Sequence, residues 1–178
     1  MLDLCWMTLL FTILAALVLP NWVQHESIDG GFVVQVPQAL ETSLKGIETE
    51  VGTLEYHSHS LRTENDSLGH AFFAVSYCDY PDGSFPSDSV SLIKEFLDVT
   101  MEQGTSAIEG TLVYSDQISI DDHPGRFWRI HYDEDRSVLK TRAFLVGDRF
   151  YTVQIAVRNT HAQEDFVDRF LESFRLLE

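Results

Sequence analysis

Glu55, His57 and His59 are the residues whose types and spacing come nearest to a chemical site. They alternate with Leu54 and Tyr56 along a segment typical of a β-strand, so their three side chains share one face of it. Two histidines at positions i and i+2 can both reach a zinc or copper ion, and the carboxylate can supply a third ligand. The pattern thus allows a divalent metal site. A solvated strand edge explains the same residues without any ligand, so we predict no cofactor.

A second group of residues could recognise a ligand through aromatic and cationic contacts. Arg126, Trp128 and Tyr132 alternate along one strand, and Arg142 lies on the following strand. A tryptophan and arginines on one surface can form a stacking or cation–π site. Large aromatic side chains in central strands are usually buried, however, and core packing of Trp128 is the interpretation that we favour.

No pattern in the chain points to covalent catalysis or to nucleotide binding. Ser76 and Ser173 lie outside any Gly-x-Ser-x-Gly context. Cys78 lies in an apolar strand, where thiols are usually inert. Gly30 and Gly31 are typical of a turn before a strand rather than of a phosphate loop. We therefore do not expect an enzyme.

Composition indicates one acidic domain. The 178 residues include 28 acidic and 12 basic side chains, which give a net charge of -16, and 44% of the residues are hydrophobic. This length and hydrophobic content suffice for a single core. The negative field repels phosphate backbones and anionic lipid head groups, so nucleic acid is excluded as an expected partner.

Residues 4–19 are uncharged and apolar, and the sequence Pro-Asn-Trp follows at 20–22. A helix of this length spans about 24 Å, which is less than the roughly 30 Å of a bilayer core, while a secretory apolar region usually has about 7 to 15 residues. An uncleaved membrane anchor, a signal peptide and a buried helix of the fold all stay open. We assign residues 1–22 to a hydrophobic signal or membrane-anchor segment and residues 28–178 to a single domain, which the first two alternatives place outside the cytoplasm.

Hydrophobic periodicity and turn residues predict an α+β fold with a largely antiparallel sheet, because hairpin connections are short and no regular βαβ alternation occurs. Residues 38–51 are expected to be loop, residues 62–69 a turn, Gly104 the end of the first helix and residues 160–163 a capping box. Apolar residues on both faces of the last strand indicate that helices cover both sides of the sheet. The predicted strands are 32–36, 53–60, 70–78, 110–119, 125–133, 138–146 and 149–157, and the predicted helices are 87–103 and 160–174.

Five segments of the sequence resemble the PsbP family of extrinsic photosystem II proteins and its uncharacterised bacterial relatives. They are Gly31–Pro37, Val75–Pro81, His123–Arg126, Arg142–Tyr151 and Phe170–Phe174, in that order within residues 28–178. Each is a packing or turn motif. The resemblance implies an α/β/α sandwich, here preceded by an N-terminal hydrophobic helix, and a non-enzymatic role on a membrane or protein assembly.

These observations lead to one functional hypothesis and two alternatives. The first is a membrane-anchored or exported accessory or binding module that takes a protein partner or small ligand outside the cytoplasm, with residues 4–19 contacting the membrane. The second is a metal-binding protein or metal-dependent enzyme centred on His57 and His59. The third is a structural subunit of an envelope complex.

Overall fold

The computed structural model describes residues 22–49, 52–65 and 68–177, so the predicted hydrophobic segment 4–19 lies outside the described residues. None of the described helices is long and apolar enough to span a bilayer. A 3₁₀ turn at Asn159–His161 precedes the last helix. In chain order the strands and α-helices are β1 Val23–Ser27, β2 Phe32–Val36, β3 Glu41–Thr49, β4 Gly52–Asn65, β5 Gly69–Asp79, α1 Val90–Ala107, β6 Thr111–Ile120, β7 His123–Tyr132, β8 Ser137–Val146, β9 Arg149–Arg158, α2 Asp165–Ser173 and β10 Arg175–Leu176.

Seven of these strands form one antiparallel sheet in the order β3-β4-β5-β9-β8-β7-β6. A smaller sheet has the order β1-β2-β10, and its pairs are also antiparallel. Neighbouring strands along the chain are mostly joined by short hairpin turns, which antiparallel pairing permits. The predicted α+β class with a largely antiparallel sheet is confirmed.

The large sheet is covered on both faces, as predicted from the apolar residues on both sides of its last strand. On one face, which we call the α2 face, Phe73 packs edge-on against Phe170 of α2, and the small sheet completes this core. On the other face, the α1 face, Leu97 of α1 packs with Trp128 and Ile130. Two separate apolar cores therefore hold the helices on opposite sides of one sheet.

Strand β3 corrects the prediction of a loop over residues 38–51. Its residues are exposed throughout, and it pairs in continuous register with β4, from Glu41 opposite Ser60 to Thr49 opposite Gly52. An edge strand that packs against nothing shows no hydrophobic alternation, so periodicity could not find it. Strand β4 likewise continues to Asn65, beyond its predicted end.

The ends of both helices differ from the predicted ones. Helix α1 continues to Ala107, so Gly104 lies inside it rather than after it. Helix α2 begins at Asp165 after the N-cap residue Glu164, and no side chain caps it. The expected capping box at 160–163 is wrong, because the chain forms a 3₁₀ turn there.

Candidate functional site

The three predicted metal-site residues share the α2 face of β4 but make different contacts. His57 Nε2 lies 3.8 Å from Glu55 Oε2, and its ring stacks on Tyr77 with centroids 4.4 Å apart. His59 is only 8% exposed, whereas Glu55 is exposed. The expected solvated edge is therefore wrong for His59, because β3 and not β4 is the edge strand and the small sheet covers this part of β4.

His59 is hydrogen-bonded to a second histidine that the sequence did not identify. Its Nδ1 lies 3.0 Å from Nε2 of His25 on β1, and the Phe32 ring packs edge-on against it. Burial, with smaller contributions from His25 and His57, lowers the pKa of His59 to about 4. Burial also lowers the pKa of His25. The pair is neutral at pH 7 and joins the small sheet to the large one.

Within the three described stretches, no three His, Cys, Asp or Glu side chains form a group that could hold a metal ion. The metal site at Glu55, His57 and His59 stays a prediction. The thiol of Cys78 is buried on the α1 face, and burial, assisted by Asp79, raises its pKa to about 11. This thiol is protonated at neutral pH, which matches the inert role expected from the sequence.

The structure separates the four residues of the predicted stacking surface. Arg126 and Trp128 share the α1 face of β7, and Tyr132 follows at the far end of the strand. Arg142 lies opposite Phe127, which is on the other face of β7 from Arg126 and Trp128. The Arg142 side chain therefore lies on the α2 face. Trp128 is 2% exposed and belongs to the α1 core. The structure brings no joint surface of all four residues together.

A cleft opens on the α1 face between the first half of α1 and the turns of the β6–β7 and β8–β9 hairpins. Its volume is about 520 Å³, within the range of small-molecule sites. Val90, Ile93 and Leu97 of α1 supply one wall, and Pro124 and Leu145 supply the other. We call this space the α1 cleft. Most of its lining surface is apolar.

The loop before α1 is held against the β8–β9 turn by the carboxylate of Asp148. Its oxygens accept hydrogen bonds from the backbone N–H groups of Gly83 at 2.8 Å and Phe85 at 2.9 Å. The backbone carbonyl of Asp148 also accepts from the Tyr80 N–H at 2.9 Å. Phe85 in turn packs against Phe96 of α1, with ring centroids 4.7 Å apart. These contacts fix the helix relative to the hairpin and keep the α1 cleft open.

The β6–β7 turn supplies the other rim. Asp121 and Asp122 form a two-residue turn with φ of 45° and 66°, and β7 starts at once with His123. Gly125 follows at a point of close packing, where an added Cβ would lie 2.5 Å from the carbonyl oxygen of Ala143. Packing thus explains the glycine of the His-Pro-Gly-Arg segment.

Arg126 carries the buried charge of the cleft. It is 9% exposed and forms an ion pair with Asp98 of α1. Lys94 Nζ lies 2.7 Å from Oδ2 of the same carboxylate. Lys94 and Asp98 were missed in the sequence analysis, although their i, i+4 spacing on a predicted helix is a signal for such a pair. We call these three residues the Lys94–Asp98–Arg126 triad.

Two segments that carry the resemblance to the PsbP family, 123–126 and 142–151, line this cleft. No family model matches the sequence, and no curated protein matches it significantly. Among solved structures, the chain is similar to the solution structure of cyanobacterial PsbP (CyanoP) from Synechocystis sp. PCC 6803. The TM-score is 0.60 at 11% sequence identity, over 90% of this chain and 95% of that chain. The chain therefore has a PsbP-like fold.

Proposed function

We propose that the protein is a non-enzymatic binding module that takes a small ligand into the α1 cleft. The observation that carries the proposal is the cleft itself, which combines apolar walls from α1 and two hairpins with one buried cation, Arg126. Ligand sites are typically concave and mostly apolar, with a few polar groups that fix orientation. The fixed position of α1 on the hairpin turns means that the cleft is preformed, which lowers the entropic cost of binding.

We further propose that the module works outside the cytoplasm, anchored or exported, as an accessory protein. The support is the uncharged apolar segment 4–19 together with the resemblance to extrinsic proteins. Fractionation of cells that express the full chain, with the intact mass of the product, tests this. Full-length protein in the membrane fraction or a shortened product outside the cytoplasm supports the proposal, whereas full-length soluble cytoplasmic protein contradicts it.

Binding in the α1 cleft can be tested with the neutral fluorescent probe N-phenyl-1-naphthylamine and two matched variants. Val90 is the first residue of α1, lines the cleft and is 73% exposed. Val90→Glu places a charge in the apolar cleft, while a glutamate at a helix N-terminus leaves the helix stable. Val99 lies on the same helix, is 41% exposed and does not line the cleft, so Val99→Glu is the control.

We expect the wild-type protein and Val99→Glu to bind the probe with equal affinity. We expect Val90→Glu to bind it roughly tenfold more weakly, because the bound apolar probe would remove part of the new charge from water. Circular dichroism and thermal melting show whether each variant is folded. Equal binding by all three proteins, or no binding by the wild type, would refute the cleft as the ligand site.

A metal-binding protein or metal-dependent enzyme centred on His57 and His59 is the second candidate. The observation behind it is that His25 Nε2 lies 3.0 Å from His59 Nδ1, so two imidazoles are adjacent here; among the described residues they do not form part of a metal-binding group of three as they stand, and a metal ion would have to replace their hydrogen bond. Elemental analysis of the purified full chain tests it. Stoichiometric zinc or copper that disappears in the His57→Ala, His59→Ala variant supports this candidate, and metal-free wild-type protein after growth with added zinc and copper contradicts it.

A further inference from the structure

The walls of the α1 cleft set the first property of its ligand. Aliphatic side chains of Val90, Ile93 and Leu97 face Pro124 and Leu145 across the cleft. Contacts with such walls are favourable for apolar groups, at roughly 25 cal/mol for each Å² removed from water. The volume of about 520 Å³ limits the occupant to a small molecule rather than a folded partner. Most of the ligand must therefore be apolar.

The Lys94–Asp98–Arg126 triad sets the second property. Two cations share a single carboxylate, so the triad carries one uncompensated positive charge next to the apolar walls. Arginine has five N–H donors, more than one carboxylate can satisfy. Asp98 already pairs the charge of Arg126, and a ligand carboxylate would accept hydrogen bonds from the guanidinium donors that Asp98 does not engage. Asp122 also lines the cleft, but it is exposed in its turn and is therefore solvated.

The charge of the whole protein sets the third property. The chain carries a net charge of -16, and this negative field repels ligands in proportion to their own negative charge. A polyphosphate or a dicarboxylate would meet this repulsion with only one excess cation to offset it. A single carboxylate on an apolar body fits both the local and the overall charge.

We infer that the α1 cleft binds an apolar monocarboxylate, with the carboxylate at Arg126 and Lys94 and the apolar body against α1, Pro124 and Leu145. This inference rests on the proposed function, since it names the ligand class of the same cleft. The carboxylate accepts hydrogen bonds from the guanidinium, and Lys94, whose side chain is 58% exposed, contributes a charge at the mouth of the cleft.

The experiment measures displacement of N-phenyl-1-naphthylamine from the full chain by three probes of equal chain length: decanoate, decan-1-ol and decyltrimethylammonium. We expect decanoate to bind roughly tenfold more tightly than the other two, since a charge-assisted hydrogen bond to Arg126 distinguishes it. Lys94→Gln removes one cation at an exposed position and should weaken decanoate binding about two- to fivefold, with decan-1-ol unchanged. Lys45→Gln, in the exposed strand β3, is the matched control and should change neither.

The outcomes distinguish failure of the carboxylate assignment from failure of ligand binding in the cleft. If the probe binds but decan-1-ol or decyltrimethylammonium displaces it as well as decanoate does, the cleft binds ligands and the carboxylate assignment is overturned. If decanoate binds to Lys94→Gln and to Val90→Glu as tightly as to the wild-type protein, it binds elsewhere, and the assignment is again overturned. If neither the fluorescent probe nor any of the three compounds binds, the proposed function fails as well.

Discussion

The hydrogen-bonded pair of His25 and His59, of which His59 is buried, connects the small sheet to the large sheet through one hydrogen bond of 3.0 Å. Such a bond between two imidazoles needs one nitrogen that carries hydrogen and one that does not, so the pair is stable when both rings are neutral. Protonation of both rings would place two positive charges side by side in a poorly solvated position, next to the ring of Phe32. The joint between the sheets is therefore sensitive to acid.

We expect His59 to make the protein less stable as the pH falls from about 6.5 towards 4. Its pKa is lowered from 6.5 to about 4 in the folded protein, so the unfolded chain binds a proton first as the pH falls. The stability is therefore complete above the ordinary pKa and is lost progressively between that pH and the pKa of the folded protein. The loss attributable to His59 reaches about 3 kcal/mol at most. Urea unfolding of the wild type and of His59→Gln, at several pH values, measures it.

The comparison must be between variants, because protonation of the many carboxylates also changes the stability of this acidic protein. It relieves charge repulsion, so its effect on the free energy of unfolding is opposite in sign to that of His59. His70→Gln is the control, since the His70 side chain is 62% exposed. We expect this variant to follow the pH dependence of the wild type, while His59→Gln loses part of the slope. Identical slopes for all three proteins would contradict a role for His59.

At the level of elements, α1 is the component that forms the cleft, and its stability can be raised without touching the site. Gly104 lies inside the helix, and an added Cβ there would meet nothing within 4 Å. We expect Gly104→Ala to raise the free energy of unfolding by about 0.5 to 1 kcal/mol, because glycine loses more backbone freedom than alanine in a helix. Chemical denaturation measures the change, and a destabilised variant would show that the helix ends before Gly104.

The sequence predicted well those elements whose packing requires a recognisable pattern of apolar residues. Strands β5 and β9 are rich in apolar residues because both of their faces are covered, and α1 shows Ile93, Leu97 and Met101 at helical spacing on its buried side. Their positions were correct to within a few residues. Strand β3 shows no such pattern of apolar residues, since it is held by backbone pairing with β4 at an exposed edge.

The candidate site was only partly accessible from the sequence for the same reason. Arg126 was identified, but its partner Asp98 and the second cation at that carboxylate, Lys94, lie on a helix distant in the chain. Only the tertiary structure brings them together. Arg142 was assigned to the wrong face because the register between β7 and β8 is set by pairing, and a shift of one residue reverses the face. His25 was missed because β1 was not predicted.

In the whole molecule, the chain enters the domain on the side opposite to the α1 cleft. Trp22 packs edge-on against Phe73 on the α2 face, and the guanidinium of Arg169 lies 4.6 Å from the centre of its indole ring. The cleft lies on the other side of the sheet, between α1 and the two hairpin turns. A membrane or partner that engages the region around Trp22 would therefore leave the cleft open to ligands.

The most direct test of the binding cleft is a two-dimensional ¹H–¹⁵N NMR titration of the full chain with decanoate. We expect saturable shift changes concentrated in three stretches that line the cleft, residues 87–97, 123–126 and 145–147, and we expect the same changes in Val90→Glu to need a clearly higher decanoate concentration. Changes centred instead on His25, His57 and His59, or no saturable change at all, would contradict the account and direct attention to another part of the molecule.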